Sequence, residues 1–310
     1  MNGFLTIFQT AGELGLITSI AVLALYLSYL HLNVCDLSTD GCFTLGASVG
    51  CVVALSGHPY LAILAAIGSG MVSGFVVAFL QTKMGVNSLL AGIIVNTALY
   101  SINIAIMGNS SVLSLNKVDT IFSDVKALLS GTWFESGYKL IVAIVFVVVI
   151  IVFLTLFLRT RLGLAIRATG DNIEMVKSSS ISPAIITIIG LTLSNGLTAL
   201  SGALLAFSQK STNIDIGTGI VTIALASLLI GNIFFKKRGL TLKAIGCVIG
   251  ALLFRTVYTI ALRFNMPASY LKLISAILVL IPISAPYLKE KGGVFFRKLK
   301  GRKESQQCLK

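Results

Sequence analysis

Long apolar runs fill the chain, and short polar intervals separate them. Nine runs can be drawn, at roughly 8–30, 41–57, 60–81, 86–107, 139–158, 183–208, 216–235, 241–262 and 271–288. A helix of about 20 residues crosses the hydrocarbon core of a bilayer, and most runs reach that length. The cleanest is 139–158, which carries no charge after Lys139. The 41–57 run is short. It is expected to tilt, to join the turn before it, or to cross only in part. The pattern predicts an all-α fold: a polytopic transmembrane helical bundle of about nine segments with one short or broken early helix.

Composition supports the same class. Of 310 residues, 56% are hydrophobic and 11% charged, against about 25% charged in an ordinary soluble domain. No polar shell can be built from so few charges, whereas lipid accepts helices that are apolar all round. The net charge of +13 does not mark a nucleic-acid binder. The basic residues sit in short tracts between apolar runs, where the positive-inside rule accounts for them. Five cysteines show neither metal spacing nor a paired framework, and no metal is expected. No Lys or Arg precedes Lys83, so a cleavable signal peptide with a basic n-region is not expected.

The tracts also set an orientation. They lie at Arg159–Lys177, Lys236–Lys243 and Lys289–Lys310, and an even number of runs separates each from the next. Placing all three in the cytoplasm makes Lys83 cytoplasmic, the N-terminus external and the 108–138 loop external. The expectation is a bacterial cytoplasmic-membrane protein. It has one permease-like transmembrane domain over 1–288, a cytoplasmic element at 159–182 and a basic tail at 289–310. Ser73–Gln81 resembles Ser201–Gln209, and Gly92 with its following residues resembles Gly219 with a one-residue slip. On this topology the copies run in opposite directions, as in the inverted repeats of transporters.

The 159–181 stretch has its own pattern. Leu164, Ile166 and Ala168 precede Gly170; Asp171 or Asn172 can cap a new helix, and Glu174 supports its first turn. Ile173, Met175 and Val176 then give a short apolar face. Physical reasoning alone leaves two readings, a docking surface for a partner or a helix lying on lipid headgroups.

The residues themselves carry a resemblance. Thr160, Arg161, Gly163, Ala165, Ile166, Arg167, Ala168, Gly170, Asp171, Asn172, Glu174 and Ile181 match the coupling loop of ABC importer permeases for branched-chain amino acids, ribose-type sugars and nucleosides. Val176 and Ser180 depart from that pattern. Asp36-Leu-Ser-Thr-Asp-Gly41 is similar to the family's early D-L-S-x-x-G turn, and 266–279 is similar to its last helix. Leu89–Asn103 is similar to a subgroup associated with aromatic amino-acid uptake.

The resemblance implies a permease subunit of a binding-protein-dependent importer, with two such subunits forming the pathway, as a homodimer or with a paired relative. A separate cytoplasmic ATPase dimer would use ATP and Mg²⁺, and an extracytoplasmic solute-binding protein would deliver a small solute. The chain itself would be no enzyme and bind no cofactor; it contains no G-x-x-x-x-G-K-[ST]. The favoured solute is an amino acid, aromatic first, with other small polar solutes behind.

Several polar residues within the runs are candidate pathway residues. Asp36, Ser38, Asp40 and Gly41 form either a broken helix lining the pathway or an ordinary solvated turn, with Ser38 or Asp40 as cap of the segment that follows. Asn96, Tyr100 and Asn103 share one helix face, which serves either the pathway or helix–helix hydrogen bonds. Asn195 leaves the same choice. Arg255 lies deep in a run with no acid beside it, so its partner must come from elsewhere: Glu13, Asp36, Asp40, Asp215 or carbonyls. An ion-coupled transporter would favour titratable groups in mid-membrane, and an intramembrane enzyme would need a motif such as H-E-x-x-H. Neither pattern is present.

Overall fold

The computed structural model describes residues 2–116, 118–128, 137–235 and 239–263, with isolated residues beyond. Among these, eleven α-helices and one two-stranded sheet are found. The protein is an all-α polytopic membrane protein. Helix α1 (Asn2–Leu25) ends in a π-helical turn (Tyr26–His31). Helices α2 (Thr39–Leu55), α3 (Pro59–Thr82) and α4 (Ser88–Ile106) follow. Strand β1 (Val112–Ser114) and the short α5 (Ile121–Leu128) precede α6 (Tyr138–Arg159). Then come α7 (Arg161–Asp171), α8 (Ile173–Ser178), α9 (Pro183–Gln209), β2 (Ser211–Asn213), α10 (Ile220–Phe235) and α11 (Leu240–Arg263). The first eight apolar runs correspond to α1, α2, α3, α4, α6, α9, α10 and α11. The ninth run, 271–288, and the tail, 289–310, lie outside the described residues except for a few isolated positions.

Local chemistry sets the ends of several helices. Pro59 and Pro183 open α3 and α9, where a missing N–H leaves no bond unmade. The Asn87 side chain accepts from the Leu89 N–H at 3.0 Å and caps α4. Lys210, with φ of 52°, closes α9 in the left-handed region.

Contacts between helices give their directions. Ser194 and Ser201 of α9 donate to the carbonyls of Ala24 and Ile17, each at 2.7 Å, so α9 runs antiparallel to α1. Gly70 meets Asn195 and Ala199 while Gly74 meets Leu191, so α3 is antiparallel to α9. Cys42, Gly46 and Gly50 face Asn195, Ala199 and Ala203 in turn, so α2 runs parallel to α9. Tyr26 reaches the Leu240 carbonyl at 3.1 Å and Gly15 packs on Leu252, making α11 antiparallel to α1. Gly231 lies on Gly246 and Gly250 on Ser227, making α10 antiparallel to α11.

Helix α9 is therefore the hub, clasped by α1, α2 and α3. Small residues allow this. A Cβ at Gly46 would run into the backbone of Ala199, and one at Gly202 into the Phe43 carbonyl. In lipid, where apolar surface gives little drive for helices to pair, such close approach and interhelical hydrogen bonds of about 0.6 kcal/mol each supply the cohesion.

These directions define two ends of the bundle. The last residues of α1, α6 and α10 and the first of α9 and α11 gather at one end with α7 and α8. At the other end β1 pairs antiparallel with β2, Val112 opposite Asn213 and Ser114 opposite Ser211. Helices α2 and α10 differ from the six long apolar helices. With 17 and 16 residues they extend only roughly 25 Å. The register with α9 places Thr39 beside residue 192, about nine residues in from the start of α9. Helix α2 thus begins inside the bundle and leaves toward the sheet end. Helix α10 begins against Asp40 in the first turn of α2 and leaves the opposite way.

This arrangement repairs the repeat expected from sequence. The copies at Ser73–Gln81 and Ser201–Gln209 do lie on antiparallel helices, but they pair α3 with α9. By helix order, a long helix, a short one starting inside and a long one returning, α1–α2–α3 corresponds to α9–α10–α11. Gly92 sits within α4 and Gly219 ahead of α10, so that match has no common place in the fold. Apolar helices share so few residue types that local likeness misled the pairing.

Candidate functional site

The chain turns back inside the bundle at Leu32–Ser38, and its polar groups find partners there. Asp36 Oδ1 accepts from the Ser38 N–H at 2.8 Å, making an Asx turn. Asn195 Nδ2 donates to Asp36 Oδ2 at 2.9 Å and to Ser38 Oγ at 3.2 Å. Thr39 Oγ1 donates to the Asp36 carbonyl at 2.9 Å. All four residues are buried. Non-helical backbone survives at this depth only when protein or water satisfies it; here the turn and α9 do so.

Asp40 faces the other way. Its Oδ2 accepts from the Gly219 N–H at 2.9 Å and its Oδ1 from the Val221 N–H at 2.8 Å. Asp40 is thus the cap of α10, not of α2. Ser38, the other expected cap, sits at the N-cap position of α2 without a side-chain cap bond. Gly41, next in the chain, is held at both backbone groups by α4. Its N–H donates to Asn96 Oδ1 at 2.7 Å, and its carbonyl accepts from Asn103 Nδ2 at 3.1 Å. A side chain at Gly41 would collide with that Asn96 oxygen.

Around this junction lies a cavity of about 390 Å³. Asp40, Gly41, Asn96, Tyr100 and Asn103 line it together, with Asp215 and Thr218 from the chain entering α10. The i, i+4, i+7 face of α4 read from sequence does point here. Its two asparagines are tied to Gly41, while Tyr100, 52% exposed, is open to the cavity. Asp36, Ser38 and Asn195 belong to the buried cluster and not to the cavity wall.

Arg255 lies apart, in a second cavity of about 350 Å³ formed by α1, α9, α11 and the approach to α10. Its guanidinium sits 5.4 Å from the centre of the Tyr258 ring. Among the described residues the one ion pair is Lys177–Glu174, so none of the four acids considered from sequence pairs with Arg255. Thr218 lines both cavities.

The α7–α8 element closes the opposite end. The Thr160 hydroxyl accepts from the Gly163 N–H at 3.3 Å, and Asn172 Oδ1 accepts from the Glu174 and Met175 N–H groups at 3.1 Å. Asn172, not Asp171, is therefore the cap of α8; Asp171 ends α7. Gly163, Ala165, Ile166 and Val176 are buried against the bundle. Arg167, Ala168 and Gly170 are half-buried, and Arg161, Asp171, Asn172, Glu174 and Ile181 are exposed. A Cβ on Gly170 would enter the His31 carbonyl at the end of α1. Leu162, Leu164, Ile173 and Met175, each near half exposed, point outward.

The profile of the family described as "Branched-chain amino acid transport system / permease component" matches residues 10–282. The chain belongs to this permease family. It is 34% identical over 281 residues to the tyrosine transport system permease protein of Clostridioides difficile (strain R20291), covering 90% of each chain. It is 32% identical to an uncharacterized protein, RP368, of Rickettsia prowazekii (strain Madrid E), over 91% of this chain and 98% of that one. The fructose import permease protein FruF of Bifidobacterium longum (strain NCC 2705) is 25% identical, over 90% and 80%. No solved structure matches.

This permease is a transport subunit of the ABC class, and two features of its site escaped sequence reasoning. The contact between Asp40 and the start of α10 spans 179 residues, and no local pattern announces it. The positive φ of Gly219, 85°, marks only that a turn precedes α10. Thr218, shared by both cavities, carried no signal at all.

Proposed function

We propose that the permease carries an amino acid, aromatic first, through the junction of α2, α4 and α10, driven from outside the bundle by an ATPase that grips α7–α8. The carrying observation is the build of α7–α8. It is a capped two-piece element whose inner face is anchored on α6 and on the end of α1, while four large apolar side chains point away from the bundle. A helix merely resting on headgroups has no need of a backbone-to-backbone fit such as that of Gly170 on His31. Force applied to α7 reaches α1 directly, and the residue after α1 begins the turn that leads into α2. Alternating access then follows from a tilt of α1 and α2 that opens the cavity to one side or the other.

The solute assignment rests on the tyrosine permease relative and on the cavity, whose Tyr100, Thr97 and Asp215 offer an aromatic face, a hydroxyl and a charge for an ammonium group. The α7–α8 end is cytoplasmic on this reading. Lys83, the Arg159–Lys177 tract and Lys243 all lie there, as the positive-inside rule requires. The β1–β2 end is external and receives the solute-binding protein. Two copies of the chain form the pathway, and ATP with Mg²⁺ stays in the ATPase. The membrane is a bacterial cytoplasmic one, with the C-terminal tail inside.

The test is Gly170→Leu in the full transporter. Uptake of L-tyrosine into proteoliposomes should fall at least about tenfold while the permease still purifies as a folded, monodisperse species. Solute-stimulated ATP turnover at the wild-type level in this variant would overturn the coupling role. Uptake of a sugar, with none of any amino acid, would overturn the solute assignment.

A further inference from the structure

We propose that the Arg255 cavity is a binding subsite for a carboxylate, placed at the sheet end of the permease beside the α2–α10 junction. The inference deepens the amino-acid reading and takes its physiological ligand from it.

A cation inside a membrane helix is retained only when something repays its removal from water. Two of the usual repayments are missing at Arg255. No acid among the described residues lies within ion-pair reach. Nε is buried and has no hydrogen-bond partner. The candidate acids are committed elsewhere. Both Asp40 oxygens hold the start of α10, Glu13 accepts from Gln9 at 3.2 Å, and Asp215 lines the neighbouring cavity. The Tyr258 ring flanks one side of the guanidinium at 5.4 Å and orients it without neutralising it. The side chain borders a cavity shared with α1 and α9.

The cavity wall fits an amphiphilic solute. Leu14, Leu205, Ile220 and Ile223 supply an aliphatic surface, and Gln209 and Thr259 line the same cavity as the cation. At about 350 Å³ the space falls within the range of roughly 300–1,000 Å³ found for small-molecule sites. A guanidinium binds a carboxylate through two parallel N–H···O bonds. One positive charge balances one negative charge, so a monoanion is neutralised here, whereas a phosphate dianion would leave one negative charge unbalanced. Asp40 already occupies the positive end of α10, so that helix end is not free to hold a second charge. Thr218 belongs to both cavities. A carboxylate held by Arg255 therefore places the rest of the solute next to the junction cavity, which makes this subsite the first grip on solute arriving from the sheet end.

The experiment has two arms on the full chain. In the first, purified permease carrying ¹⁵N-arginine is titrated with sodium acetate against sodium chloride at equal ionic strength, and the Nε–H resonance absent from Arg255→Gln is followed. Acetate should move that resonance saturably and chloride should not. In the second, the permease is reconstituted with its ATPase and solute-binding protein, and L-tyrosine uptake is measured. Arg255→Gln should lose at least about tenfold, and Arg255→Lys, which keeps the charge but not the fork, should lose less.

A resonance unmoved by acetate overturns the proposal, whatever uptake does, because loss of uptake alone would follow from a purely structural role. A resonance moved by dimethyl phosphate and not by acetate also overturns it, in favour of a lipid phosphodiester. If acetate moves the resonance while the wild type imports a sugar and no amino acid, the subsite stands and the solute assignment falls. If tyrosine is imported equally by wild type and Arg255→Gln, the solute assignment stands and the subsite falls.

Discussion

Asp36 and Asp40 sit four residues apart at the entry to the same helix, yet the fold uses them oppositely. Asp36 is buried and spends its oxygens on its own turn and on Asn195 of α9. Asp40 reaches across to another helix, caps α10 and keeps one side on a cavity. The first carboxylate fixes where α2 begins. The second fixes where α2 meets α10, at the edge of a cavity. Identical chemistry becomes scaffold or site according to what the third dimension brings to it.

Four substitutions sharpen this contrast, beginning with the largest loss of stability. Asp36→Ala strands the Ser38 N–H and the Asn195 amide in a place without water. Each buried orphan costs about 1–3 kcal/mol, so thermal unfolding in detergent should shift down by roughly 2–6 kcal/mol equivalent, with no dependence on added solute. Asp40→Ala removes a helix cap, typically about 1–2 kcal/mol, in a site that water can enter. Its unfolding shift should be smaller than that of Asp36→Ala and its loss of uptake greater per unit of stability lost. The reverse order would dissolve the contrast. Asn103→Ala unties one of two α4 tethers on Gly41, at about 1 kcal/mol, and should widen the solute range before it lowers the melting temperature. Tyr100→Phe changes one exposed hydroxyl, so stability should stay within about 0.5 kcal/mol. A change confined to the Michaelis constant for aromatic solutes is the expected readout, and unaltered transport of every solute would remove Tyr100 from the pathway.

Much of the molecule can be read along the chain. Eight apolar runs became the eight longest bundle elements because a membrane demands stretches of apolar residues and helix satisfies their backbone locally. The α7–α8 element was equally legible, since caps, exposed apolar positions and Gly170 act within a few residues of one another. The junction cavity was half legible. The spacing of Asn96, Tyr100 and Asn103 put them on one face, but whether Asn195 or Asp36 joined them depended on neighbours more than 150 residues away.

Residue order alone places this chain in a bilayer, sets how many apolar stretches the described bundle contains, and marks the polar loop that resembles the family's coupling loop. Those properties are local or additive, so residue order is enough. The contacts between helices alone settle that α2 and α10 start side by side and leave in opposite directions, that Asp40 serves a helix other than its own, and that Arg255 faces a cavity with no acid among the described residues to answer it. Such facts depend on which helices meet, and in an apolar alphabet the small residues that permit contact do not name their partners.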